Sequence, residues 1–302
     1  MFQHKTIIVY LTDTTAIIYT FQHQTLSVLT RIPWDGKNIR AVYEYLEKKL
    51  KIYQAALILS GNLCYVLTIS LPSQHIVRAS VQQEAQDRIP ELLTNVNFDW
   101  KIISTNKTRI SRLQVVAIIE RVTTALNDAS RASRVSFAGI EPIAVLLAEE
   151  TKTIPHPHIL LWGTEETVGV VAYQGGADFA EVITGASQPF TILEEYFRSH
   201  FPEQPIVTLV AKELIQSGTV AIPTHWQVTP YTFHPIPILL RNIAQKGTDE
   251  ETLMLSQESS TAKPTSTTPV AHNVSAMTLI AAAITGCILG GALMWILLKM
   301  YH

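Results

Sequence analysis

Two short polar turns carry the residue types that could do chemistry on a phosphate. The first, Thr12 to Thr15, interrupts TIIVYLTDTTAIIYTF; the second follows Gly163 in ILLWGTEETVGVVAYQGG. Each turn separates two apolar runs, a pattern that predicts strand, tight turn and antiparallel partner. Hairpins of this shape hold phosphate in one large class of nucleotide-binding proteins, which place an aspartate just before the glycine. Here Leu161 and Trp162 stand before Gly163. The candidate phosphate ligands are Thr12, Asp13, Gly163, Thr164 and Thr167, with Glu165 and Glu166 beside them. Carboxylates at both turns would repel a triphosphate unless a metal intervened. The turns are either a phosphate site that has lost its chemistry or ordinary hairpins.

Other reactive residue types are sparse. His156 and His158 in IPHPHI are close enough for a metal pair, but no third ligand is near and prolines bracket them, so the stretch reads as a connector. Cys64 and Cys287 sit in dissimilar surroundings and suggest neither a disulfide framework nor a metal site. There is no G-x-x-x-x-G-K-[ST] loop and no G-x-S-x-G elbow. Arg109, Arg112, Arg121, Arg131 and Arg134 tint the middle of the chain basic, either as a solvated face or as a surface for an acidic partner. A net charge of −2 gives no bulk attraction to nucleic acid. No catalytic residue, metal or cofactor is expected.

The elements that would position the two turns alternate along the chain. LSVLTRI reads as a third strand after the first hairpin. NIRAVYEYLEKKLKI carries Ile39, Val42, Leu46 and Leu50 at helical spacing. QAALILSG and LCYVLTISLP are strands, SQHIVRASVQQEAQDRIP is a helix stopped at Pro90, and NFDWKIIST and LQVVAIIE are strands. A helix (RVTTALNDASRAS), an extended piece (RVSFAGIEPI) and a helix (IAVLLAEET) lead to the second hairpin. FAEVITG, the helix PFTILEEYFRSHF, the strand PIVTLVA and the short helix KELIQSG follow. The class is α/β with mixed sheets.

The C-terminal part differs. Residues 247–273 are rich in Ser, Thr, Pro and acids and read as a flexible linker. Residues 274–298 hold no charged side chain, and the stretch from Met277 would span roughly 33 Å as a helix, enough for a bilayer core. Trp295, Lys299 and Tyr301 suit its rim. Gly286 and Gly290 fit G-x-x-x-G, which would let two helices pair closely, as a homodimer or with a partner's helix; chance in an Ala/Gly-rich span explains the spacing equally well. The start of the sequence lacks the pattern of a signal peptide, so the folded part is expected in the cytoplasm.

The two hairpins, Ile7 to Phe21 and Ile159 to Tyr173, each open one half of the folded part. In this plan, and in five stretches taken in order, the chain resembles the PilM family of type IV pilus assembly and its relative GspL of type II secretion. The stretches are ISLPSQHIVRASVQQEAQDRIP with Glu84, NFDWKII with Asp99, VVAIIERVTTALNDASRASRVSFAGIEPIAVLLA, the second hairpin, and FAEVITGASQPFTILEEYF. The resemblance covers about Met1 to Lys246 and implies an actin-like ATPase fold with duplicated halves and an inserted α/β subdomain, here followed by one C-terminal transmembrane helix. The first half would be 1–157, with the insertion at about 71–138, and the second half 158–246. In nucleotide-binding relatives both hairpins start Asp-x-Gly. Tyr10 and Thr12 take those places in the first hairpin; Leu161 and Gly163 take them in the second. KELIQSG stands where a late glycine pair would shape the adenosine side.

The resemblance therefore implies a non-enzymatic adaptor of the bacterial inner membrane, single-pass, with a degenerate nucleotide site. Its partners would be inner-membrane pilus or secretion platform subunits, a motor ATPase, and lipid through one helix. Two rivals stay open. An FtsA-like tether for a cytoskeletal filament shares the fold, but keeps its nucleotide site and uses an amphipathic C-terminal helix. A true ATPase would use Asp13 or Glu165 as unorthodox metal ligands.

Overall fold

Apolar side chains on both faces of TIIVYL and TAIIYTFQ make two well-buried strands, β1 (Thr6–Leu11) and β2 (Thr15–Gln22), paired antiparallel with Tyr10 opposite Ile17. This computed structural model describes residues 6–23, 25–163, 166–183, 189–218 and 220–245. Thr164 and Glu165, the linker at 247–273, and the run at 274–298 with Gly286 and Gly290 lie outside the described residues. Among the described residues no helix is long and apolar enough to cross a membrane.

The meander continues into β3 (Thr25–Pro33), antiparallel to β2. A return parallel to β1 needs a crossover. Helix α1 (Arg40–Glu44), prolonged by a π turn at Tyr45–Lys49, supplies it and buries Ile39, Val42 and Leu46 at the expected spacing. The chain then enters β4 (Gln54–Leu59), parallel to β1.

A second, smaller sheet follows: β5 (Cys64–Pro72), then β6 (Phe98–Thr105) and β7 (Ile110–Ile118), in the order β5-β7-β6. Helix α2 (Arg78–Gln86) covers it and packs Val81 and Ala85 onto a separate core with Phe98, Leu113 and Val115. The inserted sheet thus occupies Cys64–Ile118, earlier at both ends than the expected 71–138. Apolar content marks LCYVLTISLP as a strand without saying which sheet it joins; pairing decides that, and all of β5 pairs with β7. Helix α2 also ends before Pro90. The Gln86 amide donates to the carbonyls of Ile89 (3.2 Å) and Glu91 (2.8 Å), and its oxygen accepts from Leu93 N (2.9 Å), so one side chain organises the loop. Pro90 biases Ile89 away from helix as well.

Helix α3 (Glu120–Arg131) and strand β8 (Ser136–Pro142) then complete the first sheet in the order β3-β2-β1-β4-β8, with β8 parallel to β4. Helix α4 (Ile143–Glu150) is apolar all round its first six residues, and Ile143 to Ala148 are all buried. Such a helix lies inside a core, not on its surface.

The second half repeats the plan. Strands β9 (His158–Trp162), β10 (Thr167–Tyr173) and β11 (Gly176–Ile183) form an antiparallel meander. After α5 (Pro189–His200), β12 (Val207–Ala211) runs parallel to β9, and after α6 (Lys212–Ser217), β13 (Gln227–Tyr231) runs parallel to β12. The order β11-β10-β9-β12-β13 has the strand directions of the first sheet. The duplication expected from two hairpins is therefore a duplication of whole five-stranded sheets. Strand β13 and the final helix α7 (Pro235–Gln245) were not expected. Strand β13 is a mostly exposed edge containing Pro230, without alternation, and α7 opens on prolines at 235 and 237. Proline is tolerated at an edge and in a first helical turn, where N–H groups need no partner.

Candidate functional site

The turn between β1 and β2 is closed by its own residues. Thr12 N donates to Thr15 O at 2.9 Å, and the Thr12 hydroxyl both donates to that carbonyl and accepts from Thr15 N, each at 3.1 Å. Trp34 seals it from the side: its indole N–H donates to Thr12 O at 2.7 Å and its backbone N to Thr14 O at 2.9 Å. Asp13 pairs with Arg121 of α3 at 2.7 Å. The groups that would meet a phosphate or a metal are thus engaged within the chain.

A Cβ on Gly163 would lie 1.7 Å from Glu166 O, so this glycine lets the chain fold back on itself at that point. Thr167 opens β10 and pairs with Ile183 of β11. Leu161, at the expected aspartate position, is fully buried in the core. Helix α6 starts directly after β12, where the late glycine pair would stand.

Between the turns lie Tyr10 and Glu166. The Tyr10 hydroxyl donates to Glu166 Oε1 at 2.7 Å, and its ring meets Trp162 edge-on at 5.9 Å between centroids. Tyr10 is 2% exposed. Burial, then the Glu166 charge and hydrogen bond, hold its hydroxyl well above the usual tyrosine range. Burial also raises the Glu166 carboxyl; the Ser60 and Tyr10 hydroxyls oppose that rise and the Asp13 charge adds to it. Asp13, Gly163 and the Tyr10 position were legible in the sequence. Trp34, Arg121 and Trp162 were missed as parts of the site, because their approach depends on how separate elements pack.

Several of the remaining candidates are engaged within the chain. His158 is fully buried, with Nδ1 at 2.8 Å from His156 O and Nε2 at 2.9 Å from Thr151 Oγ1, so neither ring nitrogen is left for a metal. Arg112 pairs with Asp178 and bonds Tyr173 O, and Arg131 lies 3.6 Å from Asp128. Among the described residues no group of three or more His, Cys, Asp or Glu could hold a metal.

A buried polar cluster, absent from the sequence reading, joins three parts of the fold. Glu149 of α4 takes Lys101 of the inserted sheet at 2.7 Å and Arg241 of α7. Asn242 of α7 donates to Glu149 at 3.3 Å and to both oxygens of the fully buried Glu141, at 3.0 and 3.1 Å. Burial favours the neutral form of Glu149, but Lys101, Asn242 and Arg241 outweigh it and keep the carboxyl below its usual value. Glu141 goes the other way: burial pushes it up to about 8. Between an unfolded value near 4.5 and about 8, the folded protein keeps a proton that the unfolded chain has lost. Stability from this group is therefore complete at low pH and falls as pH rises through that window, by up to about 1.4 kcal/mol per pH unit. Glu141→Gln should gain on the parent from pH 5 to 8, in urea midpoints taken at each pH, and then hold a constant difference.

No known family model matches the chain, and no curated protein does. Solved structures do match. The cytoplasmic domain of EpsL, an inner membrane component of the type II secretion system of Vibrio cholerae, aligns at TM-score 0.52 and 10% identity, over 80% of this chain and 94% of that one. The PilM–PilN type IV pilus biogenesis complex aligns at TM-score 0.51 and 12% identity, over 77% of this chain and 89% of the other. A protein of unknown function with an actin-like ATPase fold from Bacteroides thetaiotaomicron aligns at 0.48 and 9% identity, over 79% and 96%. The fold is that of the first two, as the sequence resemblance implied.

Proposed function

We propose that this protein is a non-enzymatic adaptor in the inner-membrane assembly platform of a type IV pilus or type II secretion-like machine. Its actin-like unit sits in the cytoplasm, and the apolar run at 274–298 tethers it to the membrane. The observation that carries the reading is the Tyr10–Glu166 bond at 2.7 Å, which places an aromatic ring and a carboxylate between the two turns that would otherwise flank a phosphate. The fold shared with an inner-membrane secretion component and with a pilus biogenesis protein supports the setting. In this role the protein binds platform subunits, and its shape does not depend on nucleotide.

The purified full-length protein in detergent should shift its melting temperature by less than about 1 °C in millimolar Mg-ATP. A ligand present at a hundred times its Kd stabilises by about 2.7 kcal/mol, which is several degrees for a domain of this size. A rise of that order with Mg-ATP, absent with Mg²⁺ alone, would sink the nucleotide-free reading. Membrane subunits of the platform should co-purify with the protein equally well with and without nucleotide.

A further inference from the structure

The seam between the halves is joined at its mouth by side chains placed with little freedom. Tyr10 sits near the end of β1, the central strand of the first sheet; Trp162 ends β9, the central strand of the second. Glu166 stands just before β10, and a Cβ on Gly163 would lie 1.7 Å from its carbonyl oxygen. A buried tyrosine hydroxyl needs a partner, and a partly buried carboxylate needs a donor. Each supplies the other's need across the seam, at 2.7 Å. The covalent route between the halves is the short connector 151–157, which lies away from these turns beyond α4 and β9. The 61–63 turn of the first half also meets Val182 of β11; a Cβ on Gly61 would lie 3.2 Å from that side chain.

We infer that Tyr10 and Glu166 form a clasp that holds the two halves closed at the seam in the absence of any ligand. The clasp acts at this mouth of the seam, while Glu141–Asn242 and Gln114–Ala177 join the halves elsewhere, and releasing it is the step by which a partner or a modification would part the two turns. The inference rests on the nucleotide-free reading above, and its test separates the two.

Hydrogen–deuterium exchange on the full-length protein reads the seam through peptides covering 6–17 and 158–171, with 98–118 of the inserted sheet as internal control. Tyr10→Phe keeps the ring against Trp162 and removes only the hydroxyl; Glu166→Ala removes the acceptor. Each should speed exchange in both seam peptides by roughly 10-fold or more, as expected for one hydrogen bond to a charged group, with the control unchanged. The double variant should exchange no faster than either single one, because both remove the same bond. Glu166→Gln, which keeps an acceptor oxygen, should stay within about threefold of the parent. Parent-like exchange in Tyr10→Phe, or multiplied effects in the double variant, would overturn the clasp. Slower exchange of the parent's seam peptides on adding Mg-ATP would instead overturn the nucleotide-free reading beneath it.

Discussion

Glu149→Ala should cost about 3–5 kcal/mol of unfolding free energy, the range for breaking a buried ion pair from one side. Lys101 has a side chain only 11% exposed, and its partner Glu149 is 15% exposed. Without Glu149 the ammonium of Lys101 is stranded where water reaches it poorly, whereas Arg241, 45% exposed, turns to solvent at little cost. The loss is structural as well as energetic. Glu149 links the inserted sheet through Lys101 to the final helix through Arg241 and Asn242. Urea denaturation at pH 7 measures the effect. The pair Lys101→Met with Glu149→Leu should recover much of the loss, since it removes the stranded charge along with its partner. A double variant as unstable as Glu149→Ala would show that the cost lies in α4 packing and not in charge.

Gln114→Leu should cost about 3–4 kcal/mol, because it removes the side-chain partner of two buried backbone groups and one half-buried one. The Gln114 oxygen accepts from Ala177 N at 2.7 Å, and its amide donates to Ala177 O at 3.1 Å and Leu67 O at 3.0 Å. Each orphaned group costs about 1–3 kcal/mol. Gln114 is fully buried, so the shape-matched leucine keeps the packing and isolates the hydrogen bonds. The contact explains a difference between the halves. Strands β3 and β11 are equivalent edges of equivalent sheets; β11 is met by the inserted sheet through Gln114, with Thr68 and Arg112 holding Asp178 beside it. On β3, Leu26 and Val28 are 42% and 44% exposed. A loss under about 1 kcal/mol by urea denaturation would mean that water takes over the three partners.

Much of the architecture was written in local pattern. Apolar runs broken by polar turns announced both hairpins, and helical spacing announced α1 through Ile39, Val42 and Leu46, all buried. IAVLLAEET announced α4 as a helix, and the structure buries its first six residues. Those signals are local because strand and helix periods repeat within a few residues. The absent aspartates at Tyr10 and Leu161 were equally plain, since a missing residue type needs no geometry to be seen.

Long-range pairing settled the rest. LCYVLTISLP has the same apolar content whichever sheet it joins, and only its pairing with β7 places it in the inserted sheet. Strand β13 holds a proline and little apolar pattern, so its identity comes from running beside β12. Tyr10 and Glu166 are 156 residues apart, and Glu149 and Arg241 are 92 apart. No spacing rule reaches across such distances, because their meeting is a product of how two sheets and the helix between them pack. The sequence could say that neither hairpin carries the aspartate of nucleotide-binding relatives; the packing of the halves decided that a tyrosine and a glutamate meet between them.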